Sequence, residues 1–356
     1  MARHRMGCAR LLALAGAILL VPLTAALGPA AQLPAASAAV RAETGAAVLP
    51  DTESGAAPGG SGGVFTGAPR QFRILNTATG RVEVVGARDY VRGAVAAEMP
   101  ALYHPEALKA QAVAAYTYAV RQALAQRAAP DPALKGADFE ADPQNARRWL
   151  SEQKARELYG DRFDLYWSRV CTAADQAGQY ILLYRGQPAA TAYHAISAGS
   201  TEDARYVWPG GGQPYLTAVE SPGDLLAAGY QSTAVFPAAR LRSILEAALP
   251  GLALPADPAG WLAVKERSPS GYVTRAAVGD QEVTGLRLRG LLGLRSSHFQ
   301  VREAGGVFTF AVQGYGHGVG LSQNGADYMA RQGAAFDQIL LHYYPGTVLA
   351  LSSAGG

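Results

Sequence analysis

A glycine-rich run near the C-terminal end of the chain restricts the fold more than any other feature. Residues 314–325 read Gly-Tyr-Gly-His-Gly-Val-Gly-Leu-Ser-Gln-Asn-Gly, so glycine occupies every second position from Gly314 to Gly320. Because glycine weakens the interior of a strand or helix, such a run indicates backbone that turns with positive φ or lets another group approach closely. We interpret it as one wall of a cleft for a polar ligand. A glycine-rich turn on an ordinary β domain is the alternative.

The first forty residues have the pattern of an export signal. Arg3, Arg5 and Arg10 precede an apolar stretch, Leu11–Leu20, and an Ala-Ser-Ala sequence at residues 36–38 is typical of a cleavage site. Pro22 and the Gly-Pro pair at residues 28–29 interrupt a clean span of about 20 apolar residues. We therefore expect a cleaved signal peptide, with an uncleaved N-terminal membrane anchor as the alternative. Either interpretation predicts an exported protein that is extracellular and faces the cell wall.

Three regions follow from the composition along the chain. Residues 1–40 are the signal peptide or anchor, and residues 41–63, rich in Ala, Gly, Ser and Pro, are expected to form a flexible linker. Residues 64–352 are expected to form one large domain, because 49% of the 356 residues are hydrophobic and can build a sizeable core.

Charge and cysteine content exclude several classes of function. The chain has 31 Lys and Arg against 28 Asp and Glu, but residues 1–40 hold three arginines and no acid, so 28 of each remain. A formally neutral mature protein is not expected to bind nucleic acid. Cys8 and Cys171 are the only cysteines, which leaves a cleaved product without an intrachain disulfide or a paired-cysteine zinc site. Cys171 is expected to be a small buried side chain.

Helical and alternating patterns both occur, which predicts an α+β fold of antiparallel hairpins packed with a few helices. The predicted hairpins are Gln71–Leu75 with Arg81–Val85, Tyr180–Tyr184 with Ala189–Ala195, and Val273–Val278 with Glu282–Thr284. A further strand, Val307–Val312, leads into the glycine run. The predicted helices are a short one ending at Met99, a long one from Pro105, a charged one from about Asn145 to Leu158, one from near Ala326, and Phe336–His342.

Glu98 is the strongest candidate for acid chemistry. It follows apolar residues at the C-terminal end of the short predicted helix. Apolar surroundings and the negative end of the helix dipole both disfavour the charged carboxylate, so we expect its pKa to be raised. A carboxyl group that keeps its proton near neutral pH can protonate a glycosidic oxygen. The alternative is a solvated glutamate at a helix end.

A second polar cluster, residues 193–202, follows a predicted strand and reads Tyr-His-Ala-Ile-Ser-Ala-Gly-Ser-Thr-Glu. Its hydroxyl groups suit a binding loop, or equally a turn in which they satisfy local backbone groups. No H-E-x-x-H or G-x-S-x-G motif is present, and the histidines are scattered, so we expect no metal site.

Three segments together resemble the SpoIID/LytB family of cell-wall proteins, over roughly Phe72 to Leu349. Residues 90–100 with residues 106–115 resemble the family's opening motif, and residues 193–202 with residues 214–224 resemble its middle motif. The glycine run with residues 341–347 resembles the closing motif.

The resemblance implies a peptidoglycan lytic transglycosylase that acts on glycan strands, preferably those without stem peptides. Glu98 is then the catalytic acid and base that cleaves MurNAc-GlcNAc bonds and leaves 1,6-anhydro-MurNAc ends, with no cofactor and no metal. Because the substrate supplies its own nucleophile, no second carboxylate is required, unlike in most glycosidases. The implied substrate-binding residues are Tyr193, His194, Ser197, Gly199, Thr201, Gly316, His317, Gly318, Ser322 and Gln323.

The sequence departs from the family pattern at a few positions. Relatives usually carry Arg at the position of Tyr116, an aromatic residue at Asn324, Trp at Gly223 and Gly at Ala198. The Tyr116 change bears on the positioning of Glu98. A second reading is therefore a non-catalytic module that binds glycan and enhances a separate cell-wall amidase, its partner. A third is a hydrolase that uses water at the same site.

Overall fold

The computed structural model describes residues 63–354, except residues 209 and 211. The predicted signal segment and all but the last residue of the predicted linker lie outside the described residues. Within the described part of the chain, every helix is too short or too polar to cross a membrane.

The elements confirm the α+β prediction. Within the described residues the helices are α1 Ala87–Glu98, α2 Pro105–Ala128, α3 Glu152–Tyr159, α4 Phe163–Ala177, α5 Ala238–Ala248, α6 Gly285–Leu292, α7 Gln323–Arg331 and α8 Phe336–Tyr343. The strands are β1 Val64–Ala68, β2 Gln71–Asn76, β3 Arg81–Gly86, β4 Phe139–Ala141, β5 Tyr180–Tyr184, β6 Gln187–Pro188, β7 Tyr193–His194, β8 Gln231–Pro237, β9 Leu262–Arg267, β10 Val273–Val278, β11 Gln281–Thr284, β12 Phe299–Ala304, β13 Val307–Gln313, β14 Leu321–Ser322 and β15 Val348–Ala354.

Helix α2 is the centre of the main core. Pro105 occupies its first turn, and the His104 imidazole caps it by accepting a hydrogen bond from the backbone N–H of Glu106 at 3.3 Å. Its buried residues are mostly alanines, whose small side chains let α1, α4, α7 and α8 pack closely against it. This packing fixes the end of α1 relative to the start of α7.

Small sheets surround this helical core. β2 pairs antiparallel with β3 and parallel with β4, whereas β15 lies between β1 and β5. The β1–β15 pairing is parallel and matches Val64 with Leu351, so the two ends of the domain meet in one sheet. The short strands β7 and β14 also pair in parallel and join the two polar segments found in the sequence.

Residues 231–313 form a subdomain with its own hydrophobic core. Two three-stranded sheets, β11-β10-β9 and β12-β13-β8, enclose α5 and α6. The core contains buried aromatic residues from the strands and leucines from both helices, among them Phe299, Phe308, Phe310, Leu241, Leu245 and Leu288. This subdomain is inserted between the middle and closing motifs and leads directly into the glycine run.

Several predicted elements differ in their bounds. The charged helix begins at Glu152, because residues 143–145 form a 3₁₀ turn capped by Asp142 and Ser151 caps the helix. Only Gln187–Pro188 pairs with β5, since Tyr193–His194 pairs with β14 instead. The helix expected near Ala326 starts at Gln323 because Ser322 caps it. Cys171 is half-buried on α4, not buried as predicted.

Candidate active site

Glu98 is the last residue of α1, and its side chain is half-buried. The helix ends here because Pro100 forces the preceding Met99 into extended backbone, with φ −121° and ψ 141°. Oε1 of Glu98 accepts a hydrogen bond from the backbone N–H of Arg148 at 3.2 Å. A chain segment fifty residues downstream therefore holds the carboxylate in place.

Two tyrosines lie within the electrostatic reach of Glu98. Desolvation, and then the negative charge of Glu98, raises the pKa of Tyr193 well above its ordinary value. Burial also raises the pKa of Tyr90; the positive charge of Arg148 opposes this shift, while Tyr118 and Glu98 add to it. Both phenols keep their protons at neutral pH. The surroundings of Glu98 thus combine hydrogen-bond donors with a partly desolvated space.

The segment that carries Arg148 is a tight loop. Asp142 accepts hydrogen bonds from the backbone N–H of Asn145 at 3.2 Å and from its side-chain amide at 2.8 Å. The hydrogen bond from the Asn145 side-chain amide is the main cause of the lowered pKa of Asp142. Arg148 adopts φ +69°, and its Nη1 donates to the carbonyl of Glu140 at 3.3 Å. Within the described residues, no three His, Cys, Asp or Glu side chains are grouped so as to hold a metal ion.

The backbone of the glycine run turns with positive φ and lets other groups approach closely, as its pattern predicts. All four alternating glycines have positive φ, with values of 79°, 122°, 86° and 70° from Gly314 to Gly320. A Cβ at Gly316 would lie 2.6 Å from Cβ of His194, and one at Gly318 would lie 2.7 Å from the ring of Tyr272. Backbone bridges link Ile196 with Tyr315 and Glu202 with Val319, so the run lies directly against residues 193–202.

The two histidines of these segments face one another. The ring centroids of His194 and His317 are 5.7 Å apart, and Trp208 lies 5.0 Å from His317. Nδ1 of His194 donates to the carbonyl of Val319 at 3.1 Å, whereas Nδ1 of His317 accepts from the N–H of Val319 at 3.0 Å. The two rings are therefore opposite tautomers.

Both imidazoles are neutral at pH 7. Burial lowers the pKa of His194 to about 4. Desolvation lowers the pKa of His317 well below its ordinary value, and the neighbouring His194 and Arg289 add to that effect. Nε2 of His194 is buried and has no hydrogen-bond partner among the described residues. These rings can exchange hydrogen bonds with a ligand, but they do not contribute positive charge.

Asp224 connects the two polar segments. Its buried carboxylate accepts from the backbone N–H of Ser197 at 2.9 Å and from the Ser322 hydroxyl at 2.8 Å. The Ser322 oxygen also accepts from Gly325, which caps α7. Thr201 accepts from the backbone N–H of Val219 at 2.8 Å. These buried hydroxyl groups therefore hold the wall in shape from behind.

The ten residues implied as substrate-binding fall into two groups by exposure. Four of them are half-buried and so partly exposed: Tyr193, Gly199, Gly316 and His317. Buried positions are His194, Ser197, Thr201, Gly318, Ser322 and Gln323. Gln323 donates to the side-chain carbonyl of buried Gln111 at 3.4 Å, which ties α7 to α2.

Three of the four departures from the family pattern have local explanations. Tyr116 is buried against Phe72, and its hydroxyl points to β15, 3.0 Å from that of Ser352. It is Tyr118, on the same helix, that adds to the raised pKa of Tyr90 and of Tyr193. Asn324 donates to the carbonyl of Gly223 at 3.2 Å, and the Tyr328 ring fills the space that a side chain at 223 would need. The two departures at 223 and 324 thus contact each other.

Sequence reasoning did not single out Tyr118, Arg148 or Trp208. Tyr118 lies two residues from Tyr116 on the same helix, and the spacing of α2 places the two on opposite faces. The backbone N–H of Arg148 donates to Glu98 across fifty residues of sequence, and its backbone is left-handed, so no local pattern pointed to it. Trp208, beside a proline and several glycines, offered the clearest signal, because an aromatic residue in such a segment is typical of a binding surface.

Comparison with known proteins gives a consistent result. The family model SpoIID, described as stage II sporulation protein, matches residues 76–184. The stage II sporulation protein D of Bacillus subtilis (strain 168) is 33% identical over 287 residues, 81% of each chain. Its counterpart in Bacillus amyloliquefaciens is 34% identical, covering 78% of each. A protein named amidase enhancer from Bacillus subtilis (strain 168) is 26% identical over 73% of this chain and 40% of its own length.

Proposed function

The chain belongs to the stage II sporulation protein D family, and from this premise we propose that it is a lytic transglycosylase of peptidoglycan. Its substrate is a glycan strand, preferably without stem peptides. The observation that carries the proposal is the placement of Glu98: a half-buried carboxyl group at a helix end, held by Arg148 and close enough to influence Tyr90 and Tyr193.

In the proposed reaction Glu98 acts twice. Its carboxyl group first protonates the oxygen between N-acetylmuramic acid and N-acetylglucosamine, and that bond breaks. The resulting carboxylate then takes a proton from the C6 hydroxyl of the muramic residue as that oxygen attacks the anomeric carbon. A 1,6-anhydro ring closes and Glu98 recovers its proton. The reaction therefore consumes no water and needs no second carboxylate.

The neighbouring groups have supporting roles in this proposal. Tyr193 keeps its proton and can donate a hydrogen bond to the carboxylate or to a sugar oxygen. His317 and Trp208 lie beside each other and offer aromatic faces suited to packing against sugar rings. We also propose that the protein is exported and acts at the cell wall, where its substrate is found.

A second candidate is a glycan-binding enhancer of a cell-wall amidase. It is favoured by the similarity to the protein named amidase enhancer, although that match covers only 40% of the relative. The two functions share a glycan groove and differ in whether Glu98 reacts.

The products of digestion separate the candidates. Stem-peptide-free glycan is incubated with the protein and the new chain ends are identified by mass spectrometry. Anhydro-muramyl ends that disappear with Glu98→Gln support the transglycosylase. Binding without cleavage by the wild-type protein would replace it with the enhancer, and reducing ends would indicate a hydrolase.

A further inference from the structure

Two arginines of the inserted subdomain lie against the glycine run. Arg289 belongs to α6, and Arg295 follows that helix. The carbonyl oxygen of Arg295 accepts from the backbone N–H of Gly316 at 2.9 Å and from Nε of Arg289 at 3.2 Å. The Arg295 guanidinium carbon lies 4.2 Å from the centroid of the Tyr315 ring. Both guanidinium groups are thus held at the backbone that positions His317.

The two arginine side chains are poorly paired within the described part of the protein. None of the ion pairs among the described residues includes either side chain. Arg289 is only 8% exposed, and its hydrogen bonds to described residues come from Nε, to the carbonyls of Leu294 and Arg295. Nε of Arg295 is buried and has no partner there.

A buried charge that forms no ion pair destabilises the folded protein. Burial accordingly lowers the pKa of Arg289. The positive charge of Arg289 also lowers the pKa of His194 and His317, after the larger effect of burial. The neutral imidazoles contribute no positive charge here, whereas both guanidinium groups do.

The chemistry of a suitable ligand follows from the donor geometry of the two arginines. A guanidinium group presents parallel N–H donors that match the two oxygens of a carboxylate. In a glycan strand, the lactyl group of muramic acid carries a free carboxylate only when no stem peptide is attached. An attached peptide converts that carboxylate to a neutral amide at the same position.

We propose that Arg289 and Arg295 form a subsite for the lactyl carboxylate of a peptide-free muramic residue, and that they select substrate by this charge. The inference rests on the proposed glycan function and adds the residues that determine the preference. Neither arginine takes part in bond cleavage; both act on substrate affinity.

Binding of matched glycans tests the subsite. The full chain carrying Glu98→Gln, which prevents turnover, is titrated with a muramic-acid tetrasaccharide in three forms: free lactyl acid, lactyl methylamide and lactyl-alanine. We expect the free acid to bind about tenfold tighter or more than the methylamide, as for hydrogen bonds to a charged group. If lactyl-alanine bound as tightly as the free acid, the protein would be recognising the carboxylate of the attached alanine. That result would overturn the proposal that the arginines bind the lactyl carboxylate.

Arginine variants then connect that preference to the subsite. Arg289→Met and Arg295→Gln should each lose most of the preference for the free acid and bind the methylamide nearly as before. The matched control is Arg287→Met, on the exposed side of α6, which should keep the preference for the free acid. Melting temperatures identify any misfolded variant. Because Arg295 is only half-buried, its substitution should disturb the fold less than that of buried Arg289.

The failure of each claim has a distinct signature. If the protein binds none of the three glycans, the proposed function fails and the subsite with it. If it binds all of them equally, or if folded Arg289→Met and Arg295→Gln retain the preference, the subsite alone is refuted.

Discussion

Glu98 is held by segments that lie far apart in the chain. It ends α1, accepts a hydrogen bond from Arg148 in a distant loop, and influences the pKa of Tyr193 on β7. A general acid has to be fixed within hydrogen-bond reach of the leaving oxygen, so these contacts matter as much as the carboxyl group itself.

The first prediction concerns the Tyr193 hydroxyl. Tyr193→Phe removes a hydroxyl whose pKa the Glu98 charge influences and leaves the ring, so turnover of stem-peptide-free glycan should fall about 10- to 100-fold. Glycan affinity should change less than about threefold. Tyr206→Phe, at an exposed tyrosine that is 42% accessible, is the matched control and should keep full activity. Unchanged turnover in Tyr193→Phe would remove this side chain from the mechanism.

A second prediction concerns His194 and stability. Its pKa in the folded protein is about 4, below the ordinary 6.5, so between these values the unfolded chain binds a proton that the folded chain does not. Stability is therefore full above about pH 6.5 and declines as the pH falls toward 4, by up to about 1.4 kcal/mol per pH unit. Denaturant unfolding of wild type and His194→Gln between pH 5 and 7 measures this. An identical slope in both proteins would contradict it.

Single residues differed in how far they could be predicted. Glu98, His194 and His317 stand in segments whose residue types already indicate a polar site. Arg148 could not be found in this way, because its backbone N–H reaches Glu98 only once the fold brings residue 148 to the end of α1, fifty residues away in the sequence. Nor could the sequence separate outward-facing Tyr193 from buried Ser197, since both stand in one loop.

At the scale of elements, the glycine run and residues 193–202 form one unit. β7 and β14 pair in parallel, two backbone bridges extend the contact, and Asp224 binds both segments from behind. Glycine is required where the two backbones approach most closely. The wall therefore depends on the shape of its backbone.

The third prediction compares two glycines that share positive φ. Gly316→Ala adds strain at φ 122° and a clash with His194, and should reduce the free energy of unfolding by about 2–4 kcal/mol. Gly333→Ala has φ 97° but open space around it, and should lose only about 1–2 kcal/mol. Urea denaturation measures both. Equal losses would mean that close packing at Gly316 contributes nothing.

Elements with strong local signals were predictable, and others were not. The β2–β3 hairpin and α2 follow from alternation and from Pro105 at a helix start. The partner of β7 could not be foreseen, because its pairing with β14 joins segments more than 120 residues apart. The late start of α3 depends on side-chain caps at Asp142 and Ser151, which interrupt an otherwise helical pattern.

At the scale of the whole molecule, the subdomain of residues 231–313 has a separate core and connects the two halves of the wall. The β1–β15 pairing joins the first and last strands of the remainder in one four-stranded sheet. The α+β class was predictable from composition and periodicity, whereas the separate core was not, since its strands and helices look like those of the main body.

For the molecule as a whole, the proposed function has one central claim: the substrate supplies the nucleophile, and Glu98 transfers the proton. The direct measurement is digestion of stem-peptide-free glycan in H₂¹⁸O, followed by mass spectrometry of the new muramyl ends. Anhydro ends without ¹⁸O are expected from the wild-type protein and from the exposed control Glu157→Gln, with at least a 100-fold loss in Glu98→Gln. Ends that carry ¹⁸O, or equal activity in Glu98→Gln, would contradict the claim.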